Sequence, residues 1–476
     1  MQQPQAQPAE KFTEKFTDHA VNGVNPTEQT ADFVAAHRTE DVRQLALKAK
    51  RVEGLDLPLA LDQIAGWQIA CKKLPQWASC EGIIYPPHIS MEQCSSQFTA
   101  QYKSEIAQTL LTPAVTVRAR MSDSAESDNQ TTKSEPQLSN SGESDNCEVE
   151  MCLRMSDSPE SDTLVARSSM VDLTGGFGVD FSYLARGFSQ ATYVERQRHL
   201  CDLAEHNMAA LGLDQARIVC GDGVEYLRQM DPVDFIYLDP ARRDEHGSRT
   251  YAIEDCTPNV LELRDLLLAK SQCTLVKLSP MLDWRKAVAD FDGTVREVHI
   301  VATGNECKEL LLVLSQQVHE EPSAPRVFCV NDNQRIDYDS AAYTQGLRIG
   351  GKPLPETKNY LYEPNASIMK AGCFDLVEER FGVTQVGPSS HLFVSATPVA
   401  DFPGRGFAIE AIGGMNKKDI KRLLNGTKQA NIAVRNFPLT APQLRKKLKL
   451  ADGGPVYLFG TTMQGCDHVL LRTSKI

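Results

Sequence analysis

The stretch DLTGGFG, residues 172–178, follows a short apolar run and precedes a helix-like segment. Glycines at such a turn let the backbone approach a ligand closely, and the free N–H groups and dipole of the following helix favour a carboxylate or phosphate. By itself, a Gly-rich turn is equally compatible with a tight structural turn that binds nothing. The stretch predicts a strand, a turn and a helix, and its neighbours decide whether the turn holds a ligand.

Short apolar runs recur from residue 169 onward, and each is followed by a longer segment with helical spacing. The first five runs are SMVDL, ATYVE, ARIVC, DFIYL and TLVKL. This alternation predicts a parallel sheet with right-handed crossovers. Two more runs, VREVHIVAT and ELLLVLS, are joined by the short turn GNECK, which predicts a hairpin that adds an antiparallel strand at the sheet edge. The expected fold is α/β, with a Rossmann-like sheet of seven strands.

Acidic residues stand at the ends of the next three predicted strands. The second strand ends at Glu195, the third is followed by Asp222 between two glycines, and the fourth by DPAR, residues 239–242. Glu195 could accept hydrogen bonds from two ribose hydroxyls, and Asp222 could accept one from an adenine amine. Each could instead cap a loop, the commoner fate of acids at strand ends. Together with Asp172, they favour a ligand site at the carboxyl edge of the sheet.

The composition is that of a globular protein with more than one domain. A chain of 476 residues exceeds what one hydrophobic core usually serves, and 41% apolar with 24% charged residues is ordinary. No apolar run reaches the roughly 20 residues of a membrane span, and the start MQQPQAQPAE lacks a signal-peptide pattern. The 13 cysteines include no C-x-x-C pair, which disfavours a zinc site and a disulfide framework. We expect a cytoplasmic protein without a bound metal or a membrane partner.

The net charge of -12 is unevenly distributed along the chain. Residues 121–165 hold 11 Asp or Glu against two basic residues, whereas the last 66 residues hold 12 Lys or Arg against three Asp. The acidic balance therefore does not exclude a polyanionic partner. Residues 1–27 have the composition of a disordered leader, residues 28–117 the spacing of amphipathic helices, and residues 118–165 the composition of a disordered acidic insertion.

The motifs DLTGGFG, YVER, GDG and DPAR, in that order, resemble those of class I methyltransferases. A nicotinamide enzyme would more often show G-x-G-x-x-G, which the sequence lacks. Five further stretches resemble bacterial class I methyltransferases that carry a THUMP-like C-terminal domain. They are QIAGWQIACKKLPQW (63–77), EQCSSQFTAQYK (92–103), LVKLSPMLDW (275–284), NECKELLLV (305–313) and LYEPNASIMKAG (361–372). The resemblance covers nearly the whole chain apart from the leader and the acidic insertion.

The resemblance implies a catalytic domain over residues 166–320, a ferredoxin-like domain over 326–395 and a THUMP-like domain over 396–476. It also implies that S-adenosyl-L-methionine is the methyl donor. The residues that match the donor motifs are Asp172, Thr174, Gly175, Gly176, Gly178, Glu195 and Asp222, with Thr99 from the segment before the first strand. Ser96 and Tyr102 are further candidates in that segment, whose polar residues could instead cap and pack a helix.

The DPAR motif predicts the catalytic group. Asp239 would accept a hydrogen bond from an acceptor amine, and the carbonyl of Pro240 would be a second acceptor. Amino-methylating enzymes usually read D/N-P-P-aromatic, whereas Arg242 here could stack, grip a phosphate or pair with surface acids. D-P-x-R also resembles pyrimidine-carbon methyltransferases, which need a cysteine nucleophile, and Cys256 at the start of a predicted helix is the nearby thiol.

Basic residues near the C-terminus predict an RNA-binding surface, although a solvated surface face is the alternative. They are Lys417, Lys418, Lys421, Arg422, Arg445, Lys446, Lys447 and Lys449. We expect a methyltransferase that modifies an exocyclic amine of a base in structured RNA, either rRNA or tRNA. A small-molecule methyltransferase would share the donor motifs. An RNA-binding protein with a vestigial methyltransferase domain would share the basic segment.

Overall fold

A computed structural model describes the chain over residues 26–48, 53–111, 168–242, 252–316, 324–342, 357–465 and 467–476. Most of the predicted leader and the whole acidic insertion lie outside these residues. None of the helices in the described ranges combines the length and apolar character that a membrane-spanning helix requires.

The N-terminal region is helical, as its spacing predicts. Its helices in the described residues are α1 Glu28–His37, α2 Val42–Lys48, α3 Leu57–Lys73, α4 Pro75–Ser79, α5 His88–Gln93 and α6 Gln97–Leu111. Helix α3 begins where the side chain of Asp56 accepts the amide of Leu59, with a proline in its first turn. Helix α6 buries Thr99, Tyr102 and Lys103, so this face of the helix is turned toward the rest of the protein.

The main sheet has nine strands in the order β11-β10-β8-β9-β7-β4-β1-β2-β3. They are β1 Ser169–Asp172, β2 Gln190–Glu195, β3 Ala216–Cys220, β4 Val233–Leu238, β7 Ser271–Leu278, β8 Val295–Thr303, β9 Glu306–Ser315, β10 Arg326–Asn331 and β11 Gln334–Asp339. The short strands β5 Ala241–Arg242 and β6 Cys256–Thr257 form a separate hairpin. The five parallel strands and the β8–β9 hairpin agree with the sequence prediction, and the α/β fold class is confirmed.

The prediction that the hairpin places an antiparallel strand at the edge of this sheet is wrong. Strand β9 does not form an edge, because it is inserted antiparallel between β7 and β8. Strand β10 pairs parallel with β8, and β11 pairs with β10, so residues 326–339 extend the main sheet. The sequence assigns these residues to the ferredoxin-like domain. Nothing in the local sequence of these residues reveals the strand with which they pair.

Helices cover both faces of the main sheet. They are α7 Val179–Leu184, α8 Arg198–Ala210, α9 Gly223–Gln229, α10 Val260–Lys270 and α11 Trp284–Asp290. Successive residues of β4 face opposite cores, since Ile236 lies in one apolar cluster and Phe235 in the other. The N-terminal helices cover the Phe235 face, where α6 packs against α7 and the indole of Trp77 donates to Ser182 Oγ at 3.2 Å. The N-terminal region is therefore part of the same packed unit.

The C-terminal part forms a second, seven-stranded sheet in the order β13-β14-β12-β15-β18-β17-β16. Its strands are β12 Tyr360–Pro364, β13 Thr384–Gln385, β14 Phe393–Ser395, β15 Gly404–Gly413, β16 Asn431–Arg435, β17 Val456–Thr462 and β18 His468–Lys475. Its helices are α12 Ala366–Ala371, α13 Phe374–Phe381, α14 Lys417–Leu424 and α15 Ala441–Leu448. Because β12 pairs with both β14 and β15, one continuous sheet joins the two small predicted domains.

Helices α14 and α15 lie on the same face of this second sheet. Leu423 of α14 and Leu444 of α15 share an apolar cluster with Leu458 and Leu470 of the strands. The neighbouring strand residue Leu471 faces a separate cluster on the opposite side. The polar sides of both helices are consequently presented together on one surface of the protein.

Candidate active site

The four predicted acids lie in a row along the carboxyl edge of the main sheet. Strands β3, β2, β1 and β4 are consecutive neighbours, and their ends are joined by backbone hydrogen bonds. Gly221 N donates to Glu195 O at 3.0 Å, and Leu173 N donates to Tyr237 O at 3.1 Å. Asp222, Glu195, Asp172 and Asp239 therefore follow one another across four strand ends. Open parallel sheets bind their ligands at this edge.

The Gly-rich turn leaves no room for side chains on its inner side. A Cβ atom at Gly175 would lie 2.2 Å from a ring carbon of Tyr193, which only glycine avoids. Gly176 has a φ of 57°, in the left-handed region that favours glycine, and a Cβ there would have only the carbonyl oxygen of Thr174 nearby, at 3.7 Å. Gly178 then stands at the N-cap of α7. The backbone of the turn is thus open at Gly176.

Glu195 braces this turn from the second strand. Its Oε2 accepts the amide of Gly176 at 3.0 Å, and its Oε1 accepts the amide of Gln197 at 2.9 Å. The hydroxyl of Tyr193 donates to the carbonyl oxygen of Gly176 on the same side. Each carboxylate oxygen can accept more than one hydrogen bond, so Glu195 retains acceptor capacity for a ligand.

Asp172 and Thr174 link the first strand end to the fourth. Asp172 is 1% exposed, and burial raises the pKa of its carboxyl to about 8 against the opposing effect of the Thr174 amide, which donates to its Oδ1 at 2.9 Å. The hydroxyl of Thr174 accepts the amide of Asp239 at 2.7 Å. The backbone of Asp239 is therefore held by the turn that precedes α7.

Asp222 and Thr99 make local contacts with the backbone, which the sequence analysis gave as the alternative to contacts with a ligand. Asp222 is exposed, and its Oδ1 caps α9 by accepting the amides of Val224 and Glu225. Thr99 is buried, and its hydroxyl donates to the Ser96 carbonyl at 3.1 Å.

Tyr102 contacts a different part of the sheet. Its hydroxyl is 2.8 Å from Nδ1 of His299 on β8. The structure thus brings Tyr102 to that strand and not to the Gly-rich turn.

Asp239 stands at the rim of the row with its carboxylate held by a lysine. Oδ2 of Asp239 accepts Nζ of Lys277 at 2.6 Å, and the Asp239 side chain is 39% exposed. Pro240 is buried behind it, and Arg242 lies in β5, where its backbone pairs with that of Cys256 in β6. The side chain of Arg242 and residues 243–251 lie outside the described part of the chain.

The predicted position of Cys256 at a helix start is corrected. It lies in strand β6, the following helix α10 begins at Val260, and its buried thiol donates to Ala252 O at 3.6 Å. The predicted helix therefore starts four residues further along the chain than Cys256.

A buried charge network below Asp239 was not predicted from the sequence. Lys103 of α6 is fully buried, and its Nζ lies 3.0 Å from Asp180 Oδ1 and 2.7 Å from Glu309 Oε2. Ser95 Oγ donates to Asp180 Oδ2 at 2.8 Å, and Tyr237 donates to the same oxygen at 2.7 Å. A signal for this network does exist, because charged residues interrupt apolar strands in TLVKL and ECKELLLVLS. It does not say which charges meet.

Electrostatics inside this network favour the ionised forms. Burial opposes the charge of Asp180, but Lys103 and Lys277 hold the pKa of its carboxyl well below the ordinary value. Burial likewise opposes the charge of Lys277, but the carboxylates of Asp239, Asp180 and Glu309 raise the pKa of its amine above the ordinary value. Lys277 is consequently a cation at physiological pH.

The predicted basic residues lie on the outer sides of α14 and α15. The exposed ones are Lys417, Lys418, Lys421, Arg422, Lys446, Lys447 and Lys449. Arg422 pairs with Asp419 at 3.1 Å, and the half-buried Arg445 pairs with Asp452 at 2.6 Å, so these two arginines also support local structure. The six lysines are exposed on the side of the second sheet that both helices cover, and we call this set of lysines the basic face.

The C-terminal part matches two family models. Residues 360–403 match a ferredoxin-like domain, and residues 404–475 match a THUMP domain-like family. The chain therefore carries a ferredoxin-like domain followed by a THUMP-like domain.

A crystal structure from Porphyromonas gingivalis W83, described as a candidate methyltransferase, is 29% identical and covers 94% of this chain and 97% of that one, with a TM-score of 0.72. The resemblance stated from the sequence is confirmed.

Two other solved structures are similar over a smaller part. The S-adenosylmethionine-dependent methyltransferase from Agrobacterium tumefaciens is 19% identical, covers 32% of this chain and 57% of that chain, and has a TM-score of 0.25. The O-methyltransferase from Bacillus cereus, in complex with S-adenosylhomocysteine, is 10% identical, covers 58% and 96%, and has a TM-score of 0.30. No curated protein sequence matches the chain.

Proposed function

We propose that this protein transfers a methyl group from S-adenosyl-L-methionine to an exocyclic amine of a base in structured RNA. The observation that carries the proposal is the row of strand ends, in which the open turn at Gly176, the braced Glu195 and the rim residue Asp239 lie side by side. The whole-length similarity to the Porphyromonas gingivalis protein supports the same class of enzyme. The cytoplasm is the compartment that fits best, since the ten described cysteines are all free thiols.

The residues of the row fit this donor. The open backbone at Gly176 would receive its methionine part, Glu195 retains acceptor capacity for ribose hydroxyls, and Asp222 is exposed beside it. S-adenosyl-L-methionine, when bound, supplies an electrophilic methyl group whose bonding electrons leave with the sulfur. Asp172 and Thr174 keep the turn in shape and tie it to Asp239. Thr99 is a supporting residue of the neighbouring helix.

Asp239 is proposed to orient the acceptor. Its carboxylate would accept a hydrogen bond from the acceptor amine, with the carbonyl of Pro240 as a second acceptor, so that the nitrogen lone pair faces the methyl group. After the carbon–nitrogen bond forms, the surplus proton leaves the nitrogen through this carboxylate to water. Alignment supplies most of the rate, because such a displacement mainly needs the two partners held in line.

RNA is the proposed substrate because the THUMP-like part carries the basic face. Six exposed lysines on one surface attract phosphates, and counterion release makes such binding strong and salt-dependent. A small molecule would not need this surface. Mass spectrometry of nucleosides from a strain that lacks the gene, compared with its parent, identifies the modified base as the one lost in the mutant.

Neutralising the basic face is expected to weaken RNA binding without changing donor affinity. We expect the combined change of Lys446, Lys447 and Lys449 to glutamine to reduce the slope of log affinity against log salt concentration by about one unit per lost phosphate contact. Filter binding of transfer and ribosomal RNA across a salt series measures the slope, and calorimetry with S-adenosylhomocysteine measures donor affinity.

The matched control removes the same charge from the N-terminal helices. Arg43, Lys48 and Lys72 are exposed there, and their combined change to glutamine should leave the salt slope close to that of the parent. If the variant with Lys446, Lys447 and Lys449 changed to glutamine binds RNA like the parent at every salt concentration, the proposed role of the basic face in RNA binding is wrong. A small-molecule substrate is then favoured. Absence of any S-adenosylhomocysteine binding by the parent would instead favour an RNA-binding protein with a vestigial domain.

A further inference from the structure

Lys277 lies beside the proposed catalytic carboxylate because of the strand register. Leu238 of β4 pairs with Val276 of β7, so the next residues along these parallel strands, Asp239 and Lys277, are neighbours at the sheet edge. The Lys277 side chain is 13% exposed, although it follows a continuous apolar run. A lysine is rarely buried unless its charge is paired, so the position calls for a specific partner.

The distances identify Asp239 as that partner. Nζ of Lys277 lies 2.6 Å from Asp239 Oδ2 and 3.2 Å from Ser95 Oγ, but 3.6 Å from Asp180 and 3.9 Å from Glu309. The last two carboxylates already have closer contacts to the second buried lysine, Lys103. Each lysine therefore has its own partners. Lys103 pairs with Asp180 and Glu309, and Lys277 forms its shortest bond with Asp239.

Asp239 is consequently fixed at two points. Thr174 holds its backbone amide at 2.7 Å, and Lys277 holds Oδ2 of its carboxylate. A carboxylate that is 39% exposed would otherwise rotate freely in solvent, and its two oxygens would exchange places. Because Oδ2 is bound to the lysine, Oδ1 is the oxygen that can accept a hydrogen bond from a substrate.

We propose that Lys277 is a positioning residue that holds Asp239 so that Oδ1 faces the acceptor amine. This inference rests on the proposed function and assigns a specificity to the site, because the substrate atom must donate a hydrogen bond to that oxygen. Ser95 supports the arrangement from the N-terminal region, since its hydroxyl lies within 3.2 Å of both Lys103 and Lys277. The segment before α6 is thereby part of the support of the active site.

Lys277→Met tests the proposal, because methionine keeps an unbranched chain of four atoms beyond Cα and lacks only the donor Nζ. The probe is bulk RNA from a strain that lacks the gene, with tritiated S-adenosyl-L-methionine as donor. We expect kcat to fall about 10- to 100-fold, the effect of a misplaced catalytic group, while KM for the donor and the S-adenosylhomocysteine affinity stay within about twofold. A purely structural role would lower donor affinity and the melting temperature together with kcat.

A double-mutant cycle provides the second measurement. In an Asp239→Asn background, which removes the carboxylate charge and with it the ion pair to the lysine, Lys277→Met should cause little further loss of kcat, because its effect passes through the carboxylate. An equal loss in both backgrounds, or a parental kcat in Lys277→Met alone, overturns the proposal. If Lys277→Met does not fold, Lys277→Arg, which keeps the charge but moves the donor atoms, is measured in the same way. A parental protein that methylates no RNA contradicts the proposed function instead.

Discussion

Asp239→Ala is expected to abolish methyl transfer to RNA while both the donor and the RNA still bind. The carboxylate is the proposed acceptor for the substrate amine, and loss of such a group typically costs about 10²- to 10⁴-fold in rate. Binding should survive because the donor contacts lie at Gly176 and Glu195, and the basic face lies on another sheet. Single-turnover transfer from tritiated donor, with calorimetry and filter binding on the same preparation, measures all three quantities.

The fold should tolerate this change. Asp239 is partly exposed, and Lys277 keeps Ser95 at 3.2 Å and two further carboxylates within 3.9 Å, so no isolated buried charge remains. Asp231→Ala is the matched control, because this exposed aspartate precedes β4 at the opposite edge of the sheet. Turnover by Asp239→Ala within threefold of this control would show that the carboxylate does not orient the acceptor.

Gly176→Arg is expected to prevent donor binding and leave the fold intact. The Cβ position at Gly176 faces open space apart from one backbone oxygen, so the long side chain would occupy the volume assigned to the methionine part of the donor. We expect the affinity for S-adenosylhomocysteine to fall by more than about 100-fold, since a blocked site leaves no alternative pose. Calorimetry measures the affinity, and thermal unfolding tests the fold.

Backbone strain needs its own control, because an arginine at φ of 57° costs about 1–2 kcal/mol. Gly212 has a φ of 71°, an open Cβ position and lies just beyond α8, away from the row of acids. Gly212→Arg therefore adds the same side chain at a similar strain and should keep parental donor affinity. Equal affinity of Gly176→Arg and the parent would show that the Gly-rich turn is not the donor site.

The sequence by itself determined the features that depend on local pattern. The five parallel strands, the β8–β9 hairpin and the Gly-rich turn follow from apolar runs, glycines and connection lengths, which act over a few neighbouring residues. The row of acids could be predicted for the same reason, because carboxyl ends of consecutive parallel strands meet at one edge. Their ligand roles, and the domain limits beyond residue 320, remain proposals.

Only the tertiary structure decided which distant residues meet. The pairing of β10 with β8, and of β11 with β10, depends on a free sheet edge that no local pattern encodes. Lys103 and Glu309 are about two hundred residues apart in the chain and meet at 2.7 Å because α6 packs onto the main sheet. Lys277 reaches Asp239 through strand register. Such pairs arise because burial in the folded protein forces each charge to find a partner, and the partner is chosen by packing rather than by spacing in the sequence.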